Sequence, residues 1–152
     1  MKIVLVYASM SGNTEEMAEA IGEQIKSLGF TIESFQIDID DIAAFDLVNY
    51  DAILFGTYTW GDGELPYEVE DFHQDLGQED LSGKLVGLFG SCDSYYPAYG
   101  AALEIMADQF HAVGSTVIDP LLKVDLTPDQ DDIERCQQFA NKFVEELKNN
   151  QC

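Results

Sequence analysis

Basic residues are scarce in this 152-residue chain: seven Lys and Arg stand against 29 Asp and Glu, a formal net charge of −22. Binding to nucleic acid or anionic lipid neutralises phosphates with Lys and Arg, so both classes are excluded, and any docking partner is expected to be basic. Cysteine is sparse too. Cys92, Cys136 and Cys152 are odd in number and contain no C-x-x-C pair, which argues against a disulfide framework or a zinc site and for a reducing, cytoplasmic compartment. Long apolar runs are missing: Ile3–Ala8 and Leu85–Phe89 fall far short of the roughly 18–20 residues of a spanning helix. Lys2 with Ile3–Ala8 is also too short for a signal peptide, and the acidic Glu15 and Glu16 follow soon after. The two histidines, His73 and His111, stand apart and without metal-ligand company. No internal repeat, low-complexity tract or linker is found.

What is present is enough for a core. Hydrophobic residues make up 46% of the chain, too many for disorder, and the length suits one domain spanning 1–152 and acting as a monomer. Lys2–Tyr7 reads as a strand buried on both faces. Asn13 or Thr14 can cap a helix with Met17, Ala18, Ile21, Ile25 and Leu28 on one side, ended by Gly29. Phe30–Ile37 alternates as a strand, and Asp51–Thr57 and Lys84–Gly90 are two more buried strands, with a short helix Tyr67–Leu76 between them. Ala98–Val113 has helical period. Ser115–Ile118 is a fifth strand, extended after Pro120 by Leu121–Val124, and Asp129–Lys148 is a long amphipathic helix begun by Thr127-Pro128. Such alternation implies an α/β fold: a three-layer, doubly wound, five-stranded parallel sheet with helices on both faces. Ligands on such sheets bind at the carboxyl ends of the strands, which singles out the loops Ala8–Thr14, Tyr58–Pro66 and Ser91–Gly100.

The first loop, Ser9-Met10-Ser11-Gly12-Asn13-Thr14, offers hydroxyls, an amide and a glycine at a helix N-terminus. It suits a phosphate held by neutral donors, or else a plain turn with an N-cap. No G-x-x-x-x-G-K-[ST] exists, and Gly61-x-Gly63 lacks a third glycine. The second loop holds the only tryptophan, Trp60. The third holds Tyr95, Tyr96 and Tyr99. These aromatics can clamp a flat ring by stacking or can cap the core.

Leu5-Val6-Tyr7-Ala8-Ser9-Met10-Ser11-Gly12-Asn13-Thr14, followed by Ala18 and Ile21, resembles the N-terminal signature of the flavodoxin family. The resemblance continues through Thr57-Tyr58-Thr59-Trp60-Gly61-Asp62-Gly63 and Phe89-Gly90-Ser91-Cys92-Asp93-Ser94-Tyr95-Tyr96, and the length is similar to that of short-chain bacterial flavodoxins. The strand order 2-1-3-4-5 with FMN at the switch point belongs to the general description of that fold and is taken over with the resemblance. The resemblance implies an electron carrier, not an enzyme, holding FMN non-covalently. Ser9, Met10, Ser11, Gly12, Asn13 and Thr14 would wrap the phosphate. Thr59 and the Trp60 indole N–H would add donors, beside Thr57 and Tyr58; Tyr58 stands where the family carries a small hydroxyl residue. Trp60 would cover one face of the isoalloxazine and Tyr96, in preference to Tyr95, the other. Ser91, Cys92 and Asp93 would present backbone groups to the pyrimidine edge. The Gly61-Asp62 peptide would either turn its carbonyl to flavin N5, stabilising the neutral semiquinone, or be a plain turn.

The charge acquires a role in that setting. Between Lys26 and Lys123 the only basic residue is Lys84, against 18 acids. Fully reduced FMN is anionic at N1, so Asp62, Glu64 and Asp93 would disfavour the second electron and lower the potential, about 59 mV for each ~1.4 kcal/mol. The acidic rim would steer a flavodoxin or ferredoxin reductase and electron-accepting enzymes with basic docking surfaces. A response-regulator receiver domain is rejected because Ala8-Ser9 and Gly56-Thr57 stand where acids are needed. A small tyrosine phosphatase is rejected because Ala98, not Arg, follows Cys92 by six. The alternatives carried forward are a flavodoxin-like FMN-dependent oxidoreductase and a flavin accessory protein that activates a metalloenzyme.

Overall fold

The structure is a computed structural model that describes residues 1–60, 63–93, 95 and 99–149. In chain order it contains β1 (Lys2–Tyr7), α1 (Asn13–Ser27), β2 (Thr31–Gln36), a 3₁₀ turn (Ala44–Asn49), β3 (Ala52–Gly56), α2 (Tyr67–Leu76), β4 (Leu85–Cys92), α3 (Ala101–Ala112), β5 (Thr116–Val117), β6 (Leu122–Asp125) and α4 (Gln130–Asn149). The sheet runs β2-β1-β3-β4-β5, with β6 also paired to β4, and its pairs are parallel.

Strand alternation divides the interior into two layers. Ile3 and Leu5 of β1 face one side with Leu54 and Phe89, where Phe139 and Phe143 of α4 and Ile21 and Ile25 of α1 cover them. Val4 and Val6 face the other side with Ile53 and Phe55, under Phe72 of α2 and Phe110 of α3. Every residue of β3 and β4 is buried, as sandwiched parallel strands require. The Phe55 ring lies 5.4 Å from Phe72 and 6.1 Å from Phe110, which pins α2 and α3 to the same central strand.

Register brings the loops together. Tyr7 pairs with Gly56, and Gly56 with Phe89, so β1 and β3 release their chains at one level of one edge, and β4 leaves the same edge three residues further on, at Cys92. The approach is close at Gly90, where an added Cβ would lie 1.8 Å from the Thr57 carbonyl oxygen. Only glycine lets the second and third loops leave the sheet side by side.

Three details depart from the expectations drawn from sequence. Neither Asn13 nor Thr14 is the N-cap of α1: Gly12 is, at φ +89°, a left-handed conformation that glycine adopts without a Cβ penalty. Ser9 Oγ reaches forward instead to accept the Glu15 amide at 3.2 Å. The fifth strand is split, with β5 beside Leu85 and Val86 and β6 beside Phe89–Cys92. The connection, residues 118–121, carries a cis Asp119–Pro120 peptide and no inserted loop. The stretch between β2 and β3, to which the sequence assigns no element, forms a 3₁₀ turn, whose Asp46 carboxylate accepts the Ala43 amide at 2.9 Å. Among the described residues, no helix is long and apolar enough to cross a membrane.

Candidate functional site

The three loops frame a cleft of about 380 Å³. Met10, Ser11 and Asn13 line it from the first loop, Tyr58, Thr59 and Trp60 from the second, and Ser91, Cys92 and Asp93 from the third, with Leu126 beyond β6. None of these is Lys or Arg. At one end lies the N-terminus of α1, whose first N–H groups have no intrahelical acceptor and carry the positive end of the helix dipole. No atom lies within 4 Å of the position a Cβ would take at Gly12, so this turn is open to an incoming group.

Trp60 stands beside the cleft and is 49% exposed. Its backbone is fixed: Trp60 N–H donates to the Glu64 carbonyl at 2.8 Å, and Glu64 N–H returns a bond to Trp60 at 2.8 Å. A half-exposed indole on a fixed backbone at a cleft edge is a surface for a flat ring, not a core filler. Thr59 is tied at both ends, its N–H donating to Ser91 O at 3.2 Å and its hydroxyl accepting the Ala102 amide at 3.4 Å. The second loop is thereby locked to the third loop and to the start of α3.

Two expected site residues, Thr14 and Thr57, are buried instead of lining the cleft. Thr14 is buried and shares a 2.9 Å hydrogen bond with the Ser91 hydroxyl. Thr57 is fully buried and donates its hydroxyl to the Tyr58 carbonyl at 3.0 Å. Ser9 holds the Glu15 amide, and Gly12 turns the chain into α1. Tyr58 donates its hydroxyl to Glu68 Oε1 of α2 at 2.7 Å. Burial first, and then that bond, hold its phenol well above the usual range. Gly61, Asp62 and Tyr96 lie outside the described residues, as does Cys152.

Cys92 is buried in the floor, its thiol 3.6 Å from the Val124 carbonyl. Burial pushes that thiol up to about 11, against a smaller opposing pull from the Tyr99 hydroxyl. A thiol so held is protonated at neutral pH and is no nucleophile. The third loop is braced by Asp93, whose carboxylate accepts the Tyr95 amide at 2.9 Å. Leu126 escaped the sequence reading because nothing in its neighbourhood marks it. It lines the cleft in a left-handed conformation (φ 57°) with its N–H on the Cys92 carbonyl at 2.8 Å. Among the described residues, no group of three or more His, Cys, Asp or Glu could hold a metal ion.

A doubly wound sheet with its cleft at the strand carboxyl ends, a cation-free helix N-terminus at one end and an exposed indole at the edge defines a nucleotide-type binding protein for a flat ring with an anionic tail. Comparison with known proteins makes this specific. The chain matches the flavodoxin family over residues 5–139 and belongs to it. It is 40% identical over 144 residues to a probable flavodoxin 1 of Bacillus subtilis (strain 168), covering 94% of this chain and 90% of that one. Its fold superposes on the crystal structure of oxidised flavodoxin 1 from Bacillus cereus with a TM-score of 0.92 at 46% identity, covering 95% of this chain and 98% of the other. A short-chain flavodoxin associated with a bacterial microcompartment gives 0.89 at 32% identity, over 97% and 99%. The protein is thus a short-chain flavodoxin, an FMN-binding electron carrier and not an enzyme. The neutral, open Gly12 turn and the half-exposed Trp60 fit that cofactor.

Proposed function

We propose that the cleft seats FMN with its phosphate on residues 9–14 and its ring against Trp60, and that the bound cofactor works at low potential. FMN, when bound, takes up and releases electrons one at a time. The observation that carries the reading is Trp60, half exposed yet fixed by two backbone bonds to Glu64, at a cleft whose far end is a helix N-terminus without a cation. The N–H groups of the first loop, that of Thr14 among them, the hydroxyls of Ser9 and Ser11 and the Asn13 amide supply neutral donors for the phosphate, aided by Thr59 and the Trp60 indole N–H. Thr57 and Tyr58 shape the wall from which these project. Ser91, Cys92 and Asp93 offer backbone groups to the pyrimidine edge. Tyr96 on the opposite ring face and the Gly61–Asp62 peptide near N5 belong to the same reading, which rests for them on family resemblance alone.

The surroundings select the charge state. Glu64 and Asp93 stand near the ring site and, among the described residues, no cation lines the cleft, so negative charge on the reduced ring is disfavoured. The same acids make the rim attractive to the basic docking surfaces of a reductase and of acceptor enzymes. Free, buried Cys92 and Cys136 suit a reducing cytoplasm, where the chain acts as a monomeric single domain.

Titration of the apoprotein with FMN tests the reading. Trp60 is the only tryptophan, so its emission is expected to quench with one equivalent. Trp60→Ala should weaken binding about tenfold or more. Unchanged affinity would remove the stacking assignment. Photoreduction in two separate one-electron steps, without direct turnover of NAD(P)H, is the behaviour expected of a carrier.

A further inference from the structure

We infer that Tyr58 and Glu68 form a positioning pair that holds the Trp60 indole at the edge of the cofactor cleft. The inference deepens the stacking reading above and rests on it for its consequence, though not for its geometry. The Tyr58 ring meets the Trp60 indole edge to face, with centroids 6.4 Å apart and planes at 77°. The Tyr58 hydroxyl is in turn fixed 2.7 Å from Glu68 Oε1, in the first turn of α2. A helix whose apolar face is buried under the sheet through Val69, Phe72 and Leu76 thus anchors an aromatic on the second loop, and that aromatic braces the next one.

A brace is needed because Trp60 is a partition. It lines the cofactor cleft on one side and, on the other, a second cavity of about 360 Å³ shared with Leu65, Tyr67 and Glu68. The backbone bonds to Glu64 fix the Trp60 main chain but leave its two side-chain torsions free. The indole therefore has room to rotate away from the cleft into the second cavity. An edge-to-face contact removes that freedom before the cofactor arrives, so less ordering remains to be done on binding. The departure at position 58 from a small hydroxyl residue then has a purpose: the Tyr58 hydroxyl proton is committed to Glu68, and the ring is what the site uses.

Two observables separate this role from a direct contact with FMN or a merely structural one. The first is near-ultraviolet circular dichroism of the apoprotein, in which Trp60 is the only indole. Tyr58→Leu and Glu68→Ala are expected to weaken the Trp60 band, whereas Glu68→Gln, whose amide oxygen still accepts the phenol proton, should retain it. The second is FMN affinity. Tyr58→Phe and Glu68→Ala are each expected to lose about threefold to tenfold, and the double change no more than either alone. In a Trp60→Ala background Tyr58→Phe should have no further effect. A loss that persists there would mean that Tyr58 acts on the cofactor itself and would overturn the inference. So would an unchanged Trp60 band in both Tyr58→Leu and Glu68→Ala. Should the Tyr58 variants fail to fold, the Glu68 pair carries the same comparison from the helix side. If Trp60→Ala alone leaves FMN affinity unchanged, the stacking reading fails, while the apoprotein band still decides whether the pair orders the indole.

Discussion

The hydroxyls of Thr14 and Ser91 lie 2.9 Å apart and join the first turn of α1 to the end of β4 across 77 residues of sequence. Both residues are buried, and the Ser91 amide also donates to Thr14 Oγ1 at 3.4 Å. This bond ties the first loop to the third beneath the cleft. Removing one partner leaves the other without it in the interior, so Thr14→Val or Ser91→Ala is expected to cost about 1–3 kcal/mol. The double change should cost clearly less than the sum. Urea unfolding of the four proteins measures the coupling, and strictly additive losses would show that the two hydroxyls are independent.

The same substitution should act in opposite directions at two glycines. At Gly90 an added Cβ meets the Thr57 carbonyl oxygen at 1.8 Å, and the backbone there cannot yield without parting the two loops. Gly90→Ala is expected to destabilise by about 3 kcal/mol or more, or to prevent folding. Gly22 sits inside α1 with nothing within 4 Å of its Cβ position. Gly22→Ala should stabilise by about 0.5–1 kcal/mol, through helix propensity. Thermal unfolding midpoints of the two variants check both signs.

Alkaline pH should erode stability through the buried thiols. Burial pushes Cys92 up to about 11 and Cys136 up to about 12, whereas an unfolded thiol ionises near ~8.5. Above that value the unfolded chain has released protons that the folded chain still holds, so stability falls as pH rises. The contribution is complete below about pH 8.5 and is lost up to the folded values, at a limiting slope of about 1.4 kcal/mol per pH unit for each thiol. Cys136→Ala should lower stability at pH 7 yet flatten the decline between pH 9 and 11. An equal slope in the variant would assign the decline to other groups, such as Tyr50 and Tyr99, both also raised to about 12.

Salt should stabilise the apoprotein. With 29 acids and seven basic residues, like-charge repulsion exceeds attraction, and it is stronger in the compact state. Ion pairs among the described residues include Lys123–Glu104 and Arg135–Asp132, each at 3.1 Å, far fewer than the acids they would have to neutralise. Screening therefore relieves more repulsion than it removes attraction. Raising sodium chloride from about 0.01 to 0.5 M is expected to raise the unfolding midpoint by several degrees; a fall would contradict this balance.

The sequence by itself determined the elements and their order, because burial of a whole strand or a helix stripe is a local, periodic demand on side chains. Lys2–Tyr7, with Ile3 and Leu5 on one face and Val4 and Val6 on the other, reads as a doubly covered strand. Tyr67–Leu76 appears as a helix at the expected bounds. It also located the three loops and, through their motifs, the family. What only the tertiary structure decided are the partners of polar groups. Thr14 reads locally as an N-cap and is used instead to hold Ser91, with Ser9 taking the helix amide. Tyr58 reads as a loop residue beside a phosphate site and spends its hydroxyl on Glu68, ten positions away. Leu126 enters the cleft with no local pattern to announce it. A hydrogen bond depends on which groups converge at the sheet edge, and that convergence follows from parallel register among strands far apart in sequence.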